Sequence, residues 1–224
     1  MAYYRDLDAI SLAKYQAILE GADLLPSRRI LQEDTAARFA VLRAQGLESV
    51  VDVQAALKTK AKLQAFARES GLDEGYLAVL RREINSLQPK PNKLSDLPDT
   101  PGAVVSALAD LGIKQTAQLY DRVRTPADRA ALAAEAGVDE GEILRLAKLT
   151  DLSRIRWVNH TFAYMLLELG YESAAEVARA DPEQLHADVK RLNEERGFFK
   201  GQIGLHDMVL TVNAAKDVVG EMVW

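Results

Sequence analysis

Apolar residues return every three or four positions along nearly the whole chain, which is the repeat that places them on one side of an α-helix. Leu12, Tyr15, Ile18 and Leu19 form one such stripe, and Leu205, Met208, Val209 and Val212 form another. No stretch alternates apolar and polar residues with period two, so no strands are expected and the fold class is all-α. The segment "LSRIRWVNHTFAYMLLELGYESAAEVA", Leu152 to Ala178, has the outline of a helix, a tight turn and a second helix closing at Gly170.

The residues between the stripes are those that start and stop helices. In "TPAD", Thr125 to Asp128, a capping Thr precedes a Pro at the first helical position, with an acidic residue three places on; "DPEQ", Asp181 to Gln184, repeats the device. Gly71 and Gly137 follow apolar helical runs, where a left-handed residue ends a helix without a Cβ clash.

The pattern recurs. Ala44 to Glu83 aligns without a gap on Asp110 to Leu149 at a constant offset, so that Gly46, Gly71 and Gly75 fall over Gly112, Gly137 and Gly141. In a second register Leu94 to Gly112 aligns on Leu152 to Gly170, with Leu97 over Ile155 and Leu108 over Leu166. A degenerate earlier copy runs from Pro26 to Gly46. Two prolines in "QPKPNK", Gln88 to Lys93, bias their neighbours away from helix and mark a boundary. The expected organisation is a helical half over residues 1–87, a short linker over 88–93 and a second half over 94–224. A connector this short predicts halves that pack against one another.

Charge and composition narrow the class. The chain has 224 residues, 48% of them hydrophobic, enough to bury a core, and a formal charge of −5. Residues 1–87 carry 12 basic and 12 acidic side chains, so the remaining 16 basic and 21 acidic residues place the whole excess beyond them. That balance argues against indiscriminate polyanion binding, in which Lys and Arg dominate. With no cysteine there is neither a disulfide nor a thiolate site. No apolar run approaches the ~20 residues that span a bilayer, and the first residues lack a signal-peptide pattern, so a cytoplasmic location away from membranes is expected.

Catalytic signatures are missing from the sequence. There is no P-loop, no Gly-x-Gly-x-x-Gly after a strand, no Gly-x-Ser-x-Gly and no HExxH. Three histidines at 160, 186 and 206 have no metal-ligand spacing. Neither an enzyme, a cofactor nor a metal is expected. The apolar C-terminal segment ending in Met222, Val223 and Trp224 suggests either a docked helix or a surface for self-association or a partner.

The repeated unit, Leu-x-x-Ile leading into a hairpin and a helix that ends at Leu-Gly, resembles the helix-hairpin-helix motif of DNA polymerases, repair nucleases and ligases. Over most of its length the chain also resembles a bacterial family known as domain of unknown function 4332, built of tandem helix-hairpin-helix units. "LLPSRRIL", "LTDLSRIRWVNHTFAYML", "ELGYESAAEVARAD" and "GQIGLHDMVLTVNAAKDV" carry that likeness. The fold implied is tandem, degenerate helix-hairpin-helix units in two pseudo-repeated halves. The family transfers a shape and no reaction.

In a DNA-binding hairpin of this type a Gly-apolar-Gly turn lets backbone N–H groups at the start of the second helix approach a phosphate. The aligned residues here are Trp157, Val158 and Asn159, then Asp99, Thr100 and Pro101, and in the first copy Glu33, Asp34 and Thr35. The turn at Asp99, with its negative charge and its Pro101, reads as structural; the turn at Glu33 is acidic again, and phosphate contacts are expected through the hairpins near Arg28 and Arg154. Candidate nucleic-acid or partner contacts are Arg28, Arg29, Lys90 and Lys93, together with Arg154, Arg156, Asn159 and His160. The alternative for each is ordinary solvated charge, with Trp157 a core anchor or lid. Two functions follow: a non-catalytic binding module directed at the phosphate backbone of DNA or RNA, or a protein-interaction adaptor whose hairpins have lost phosphate binding.

Overall fold

The computed structural model describes residues 3–218 and 222–224. Among them the protein is all-helical, with no strand and only two isolated antiparallel bridges, Ser11 with Ser49 and Lys93 with Gln115. The chain forms two compact units, one of Arg5–Gln88 and one of Met1–Tyr4 with Pro89–Trp224. Each has its own hydrophobic core.

In the Arg5–Gln88 unit, α1 (Leu12–Gly21) leads through a 3-10 turn (Pro26–Gln32) to α2 (Thr35–Ala44), then α3 (Val50–Ala56), α4 (Lys60–Ser70) and α5 (Glu74–Asn85). Helix α5 packs on the 3-10 turn, α3 and α4, and buries Tyr76, Leu77, Leu80 and Ile84 among Tyr15, Phe39 and Leu57. These are the i, i+1, i+4, i+8 positions of one face, and each fully buried aliphatic side chain contributes roughly 1.5–3 kcal/mol. The unit's ends are tied where the Gln88 amide donates to the Arg5 carbonyl at 2.8 Å.

The second unit follows the same order of parts. A 3-10 turn (Leu94–Asp96) precedes α6 (Gly102–Asp110), α7 (Thr116–Tyr120), α8 (Pro126–Ala136) and α9 (Glu140–Leu152). Then come α10 (His160–Glu168), α11 (Ala174–Val177), α12 (Pro182–Arg196) and α13 (Leu205–Ala215). Helix α9 is the centre of this unit: it packs on α7, α8 and α10 and is buried at Ile143, Leu146, Ala147, Leu149 and Leu152.

Local chemistry sets the boundaries. The Thr125 N–H donates to the Asp128 carboxylate at 3.0 Å while the Asp128 N–H donates to the Thr125 hydroxyl at 3.1 Å, so two otherwise orphaned donors are satisfied at the start of α8. Asp181 caps α12 by accepting from the Gln184 N–H at 2.9 Å. Gly71 and Gly137 close α4 and α8 at φ 73° and 65°. α4 and α8 begin at Lys60 and Pro126 and end at Ser70 and Ala136, the same spacing that separates the starts of α5 and α9.

The segment entering each first hairpin is stitched to the start of a later helix. Leu12 N–H donates to Glu48 O and Val50 N–H to Ile10 O, at 2.8 and 3.0 Å. Leu94 N–H donates to Lys114 O and Thr116 N–H to Asn92 O, at 3.0 and 2.9 Å. At the third such place α9 runs on to Leu152, and the Thr150 carbonyl accepts from the Ser153 hydroxyl at 3.0 Å. The Asp151 carboxylate substitutes, accepting from the Ala174 N–H at 2.9 Å.

At the C-terminal end, α13 packs on α11 and α12. Val223 N–H donates to Arg124 O at 2.9 Å, and the buried Arg129 guanidinium donates to the carbonyls of Val123 and Val223 at 3.1 and 3.0 Å. The C-terminal segment expected to dock or self-associate includes Val219, Gly220 and Glu221, which lie outside the described residues.

Candidate functional site

Three hairpin tips share one backbone feature. Asp34, Asp99 and Trp157 are the non-glycine residues with positive φ among those described, at 47°, 53° and 69°. Each stands just before the second helix of its hairpin: α2, α6 and α10 respectively. A left-handed Asp is tolerated because its short side chain bonds locally, whereas a left-handed Trp is strained, at a cost of order 1–3 kcal/mol that surrounding structure must hold in place.

The first two tips are tied down. The Tyr164 hydroxyl, on α10, donates to the Asp99 carboxylate at 2.6 Å, and burial followed by this bond pushes the phenol up to about 12. Arg145, on α9, donates to the Pro98 carbonyl and reaches the Thr100 hydroxyl at 3.5 Å. The tip at Asp34 is braced by Arg38, which donates to Ile30 O at 2.8 Å and lies over the Tyr76 ring at 4.3 Å. Burial raises the Tyr76 phenol to about 12 despite that cation. Gln32 donates to the carbonyls of Leu19 and Ala22 at 3.0 and 2.7 Å.

The third tip is different. Trp157 is 38% exposed, so it is neither a core anchor nor a closed lid, and the Arg156 guanidinium lies over its ring at 4.0 Å. Below it, Ile155 and Val158 are buried and fix the turn through Val158 N–H to Ile155 O at 3.0 Å. Asn159 caps α10, accepting from the Phe162 N–H at 2.9 Å. The first turn of α10 contains no acidic residue, and His160 stands there half-buried. The helix dipole therefore favours negative charge in front of this tip.

The eight candidate contacts separate into groups. Arg156, Asn159 and His160 are brought together at the third tip. Arg154 is not among them: it is 4% exposed, donates to Asp151 at 2.8 Å and to the Tyr3 carbonyl at 3.2 Å, and lies over the Tyr120 ring at 4.5 Å. Arg28 is likewise committed inward, to the buried Glu83 carboxylate and to the Ser86 hydroxyl at 3.0 Å. Arg29, Lys90 and Lys93 are exposed; Arg29 belongs to the Arg5–Gln88 unit and the two lysines to the other.

Sequence reasoning missed Tyr3. Its hydroxyl shares a hydrogen bond of 2.9 Å with Thr116, its carbonyl receives Arg154, and its ring packs edge-on to Tyr120 at 5.7 Å. Burial, chiefly, raises its phenol above the ordinary tyrosine value. Only an aromatic pair in a polar N-terminus hinted at this anchor.

The fold defines an all-α protein. The family model described as "Domain of unknown function (DUF4332)" matches residues 102–217, more than half of the chain, and the protein belongs to that family. No curated protein and no solved structure matches it. Among the described residues no helix is long and apolar enough to cross a membrane, and no group of three His, Cys, Asp or Glu side chains is placed to hold a metal ion.

Proposed function

We propose that the protein is a non-catalytic binding module of the helix-hairpin-helix type that meets the phosphate backbone of nucleic acid through its third hairpin. One observation carries this reading. Of the three left-handed tips, the first two present the carboxylates of Asp34 and Asp99, whereas the third presents Trp157, flanked by Arg156, Asn159 and His160 at the start of α10. Phosphate contacts of this kind position a nucleic acid without reading its bases. Trp157 adds a ring on which an unpaired base can stack, which favours single strands over duplex.

The test is fluorescence anisotropy of labelled single- and double-stranded DNA and RNA at low and physiological salt, comparing wild type with Arg156→Ala combined with His160→Ala. Micromolar binding that weakens steeply with salt and is lost in the variant supports the reading. Absence of binding at low salt overturns it.

A second reading, a protein-interaction adaptor, is favoured by the same exposed Trp157 with Arg156, residue types enriched where protein interfaces concentrate their energy. An apolar protein interface is far less sensitive to salt than a phosphate contact, so the same titrations separate the two.

A further inference from the structure

Away from the hairpins, the loop between α12 and α13 borders a half-open cavity of about 420 Å³, within the range of roughly 300–1,000 Å³ usual for small-molecule sites. Two side chains of α12 fix this loop. Asn193 grips one end like a strand partner: its amide donates to the Phe199 carbonyl at 3.1 Å and its carbonyl oxygen accepts from the Phe199 N–H at 2.7 Å. His186, two turns earlier, is bonded through Nε2 to the Ile203 carbonyl at 2.9 Å. The loop is thus held at both ends by side-chain hydrogen bonds, and the cavity is framed before any ligand arrives.

The lining chemistry selects the ligand. Lys190 and Lys200 face the cavity from the helix and from the loop, while Glu194 is the one carboxylate in the lining. Lys190 reaches Glu194 at only 3.9 Å, with both side chains more than half exposed, and Lys200 makes no ion pair among the described residues. In a chain of net charge −5 this is a local excess of positive charge. Phe199, half-buried against the hydrophobic core, borders the cavity, and a Cβ built at Gly201 meets nothing within 4 Å, so the backbone there is open to approach. The start of α13 is not the anchor, because the Asp207 carboxylate already accepts from the Gly204 N–H at 3.1 Å.

From this arrangement we infer that the α12–α13 loop is a binding site for a small phosphate-bearing molecule with an attached ring, of mononucleotide size. Lys190 and Lys200 hold the phosphate as paired point charges, and Phe199 stacks on the ring. This site is independent of the third hairpin and stands or falls separately from the nucleic-acid reading.

Titration of the full-length protein with AMP, CMP and inorganic phosphate, followed by calorimetry, tests it. Mononucleotides bind in the micromolar-to-millimolar range and inorganic phosphate more weakly. Lys190→Ala combined with Lys200→Ala weakens the nucleotides at least about tenfold. Phe199→Ala removes the advantage of nucleotide over inorganic phosphate, and the loss caused by the two lysine substitutions is the same in an Arg156→Ala background, which separates this site from the hairpin. Circular dichroism establishes that each variant is folded. No binding by wild type at millimolar ligand, binding unchanged in the folded double-lysine variant, or equal affinity for phosphate and nucleotide would overturn the inference.

Discussion

The guanidinium of Arg154 sits 2.8 Å from the carboxylate of Asp151, with both side chains almost wholly out of solvent. The pair is a structural junction. Asp151 also accepts from the Ala174 N–H, and Arg154 also donates to the Tyr3 carbonyl, so two charges join α9, the start of α11 and the N-terminal segment.

Removing one member of such a pair leaves the other charged and buried, which costs roughly 3–5 kcal/mol. Arg154→Ala and Asp151→Ala should each lower the midpoint of urea unfolding by an amount of that order. The double variant should be less destabilised than the sum of the singles. A midpoint for Arg154→Ala indistinguishable from wild type would mean that the residue is not a junction.

The capping aspartates give the fold a pH dependence. The Asp52 carboxylate accepts from the N–H groups of Glu48 and Ser49 and from the Ser49 hydroxyl, which holds it below the ordinary aspartate range; Asp128 is held down first by the Thr125 side chain and then by its N–H. A carboxyl group depressed by folding stabilises the fold above its unfolded value, and that contribution disappears as pH falls through the folded value. Asp52→Asn and Asp128→Asn should therefore melt below wild type at pH 7. The gap should close below about pH 4. A gap that stays constant into acid would assign the effect to something other than the carboxylate charge.

Trp157 carries backbone strain without core packing. Replacing it by glycine relieves the left-handed conformation while removing a partly exposed ring and its cation–π contact, worth ~0.5–1 kcal/mol at such a site. Trp157→Gly should leave thermal stability within about 1 kcal/mol of wild type, in either direction. A loss of the 3–5 kcal/mol typical of a buried aromatic would make the residue a packing element.

At the other end of the same unit, Trp224 stands over the Arg129 guanidinium at 5.3 Å, and Arg129 bonds to the carbonyls of Val123 and Val223. Deleting the residues after Gly220 removes the acceptor at Val223 and the ring together. Chemical denaturation should show a loss of about 1–3 kcal/mol. Unchanged stability together with unchanged oligomeric state would leave this segment with neither a docking nor an association role.

Much of this architecture is legible in the sequence because it is written in local chemistry. Thr125-Pro126-Ala127-Asp128 announces the start of α8, and Gly137 its end, from groups at most a few residues apart. The turn at Asp99 is visible in the sequence as an acidic break, but its partner is not: Tyr164 lies 65 residues further on, and only the folded chain brings them together. Arg154 illustrates the limit. Beside Asp151 in sequence it has the spacing of an ordinary surface pair, and what buries it is Tyr3, from 151 residues away. Arg156, two residues later and of the same type, stays at the tip because Ile155 and Val158 take the buried positions of the turn. Local spacing fixes which residues cap a helix; long-range packing decides which arginine is buried.

The most direct test of the account uses the tip's own reporter. The chain has two tryptophans, so a Trp224→Phe variant leaves Trp157 as the sole indole. Its fluorescence should be quenched on titration with unlabelled single-stranded oligonucleotide, the quenching should saturate, and raising salt should reverse it. An emission spectrum unchanged through saturating oligonucleotide at low salt would contradict the assignment of the third hairpin as the nucleic-acid contact.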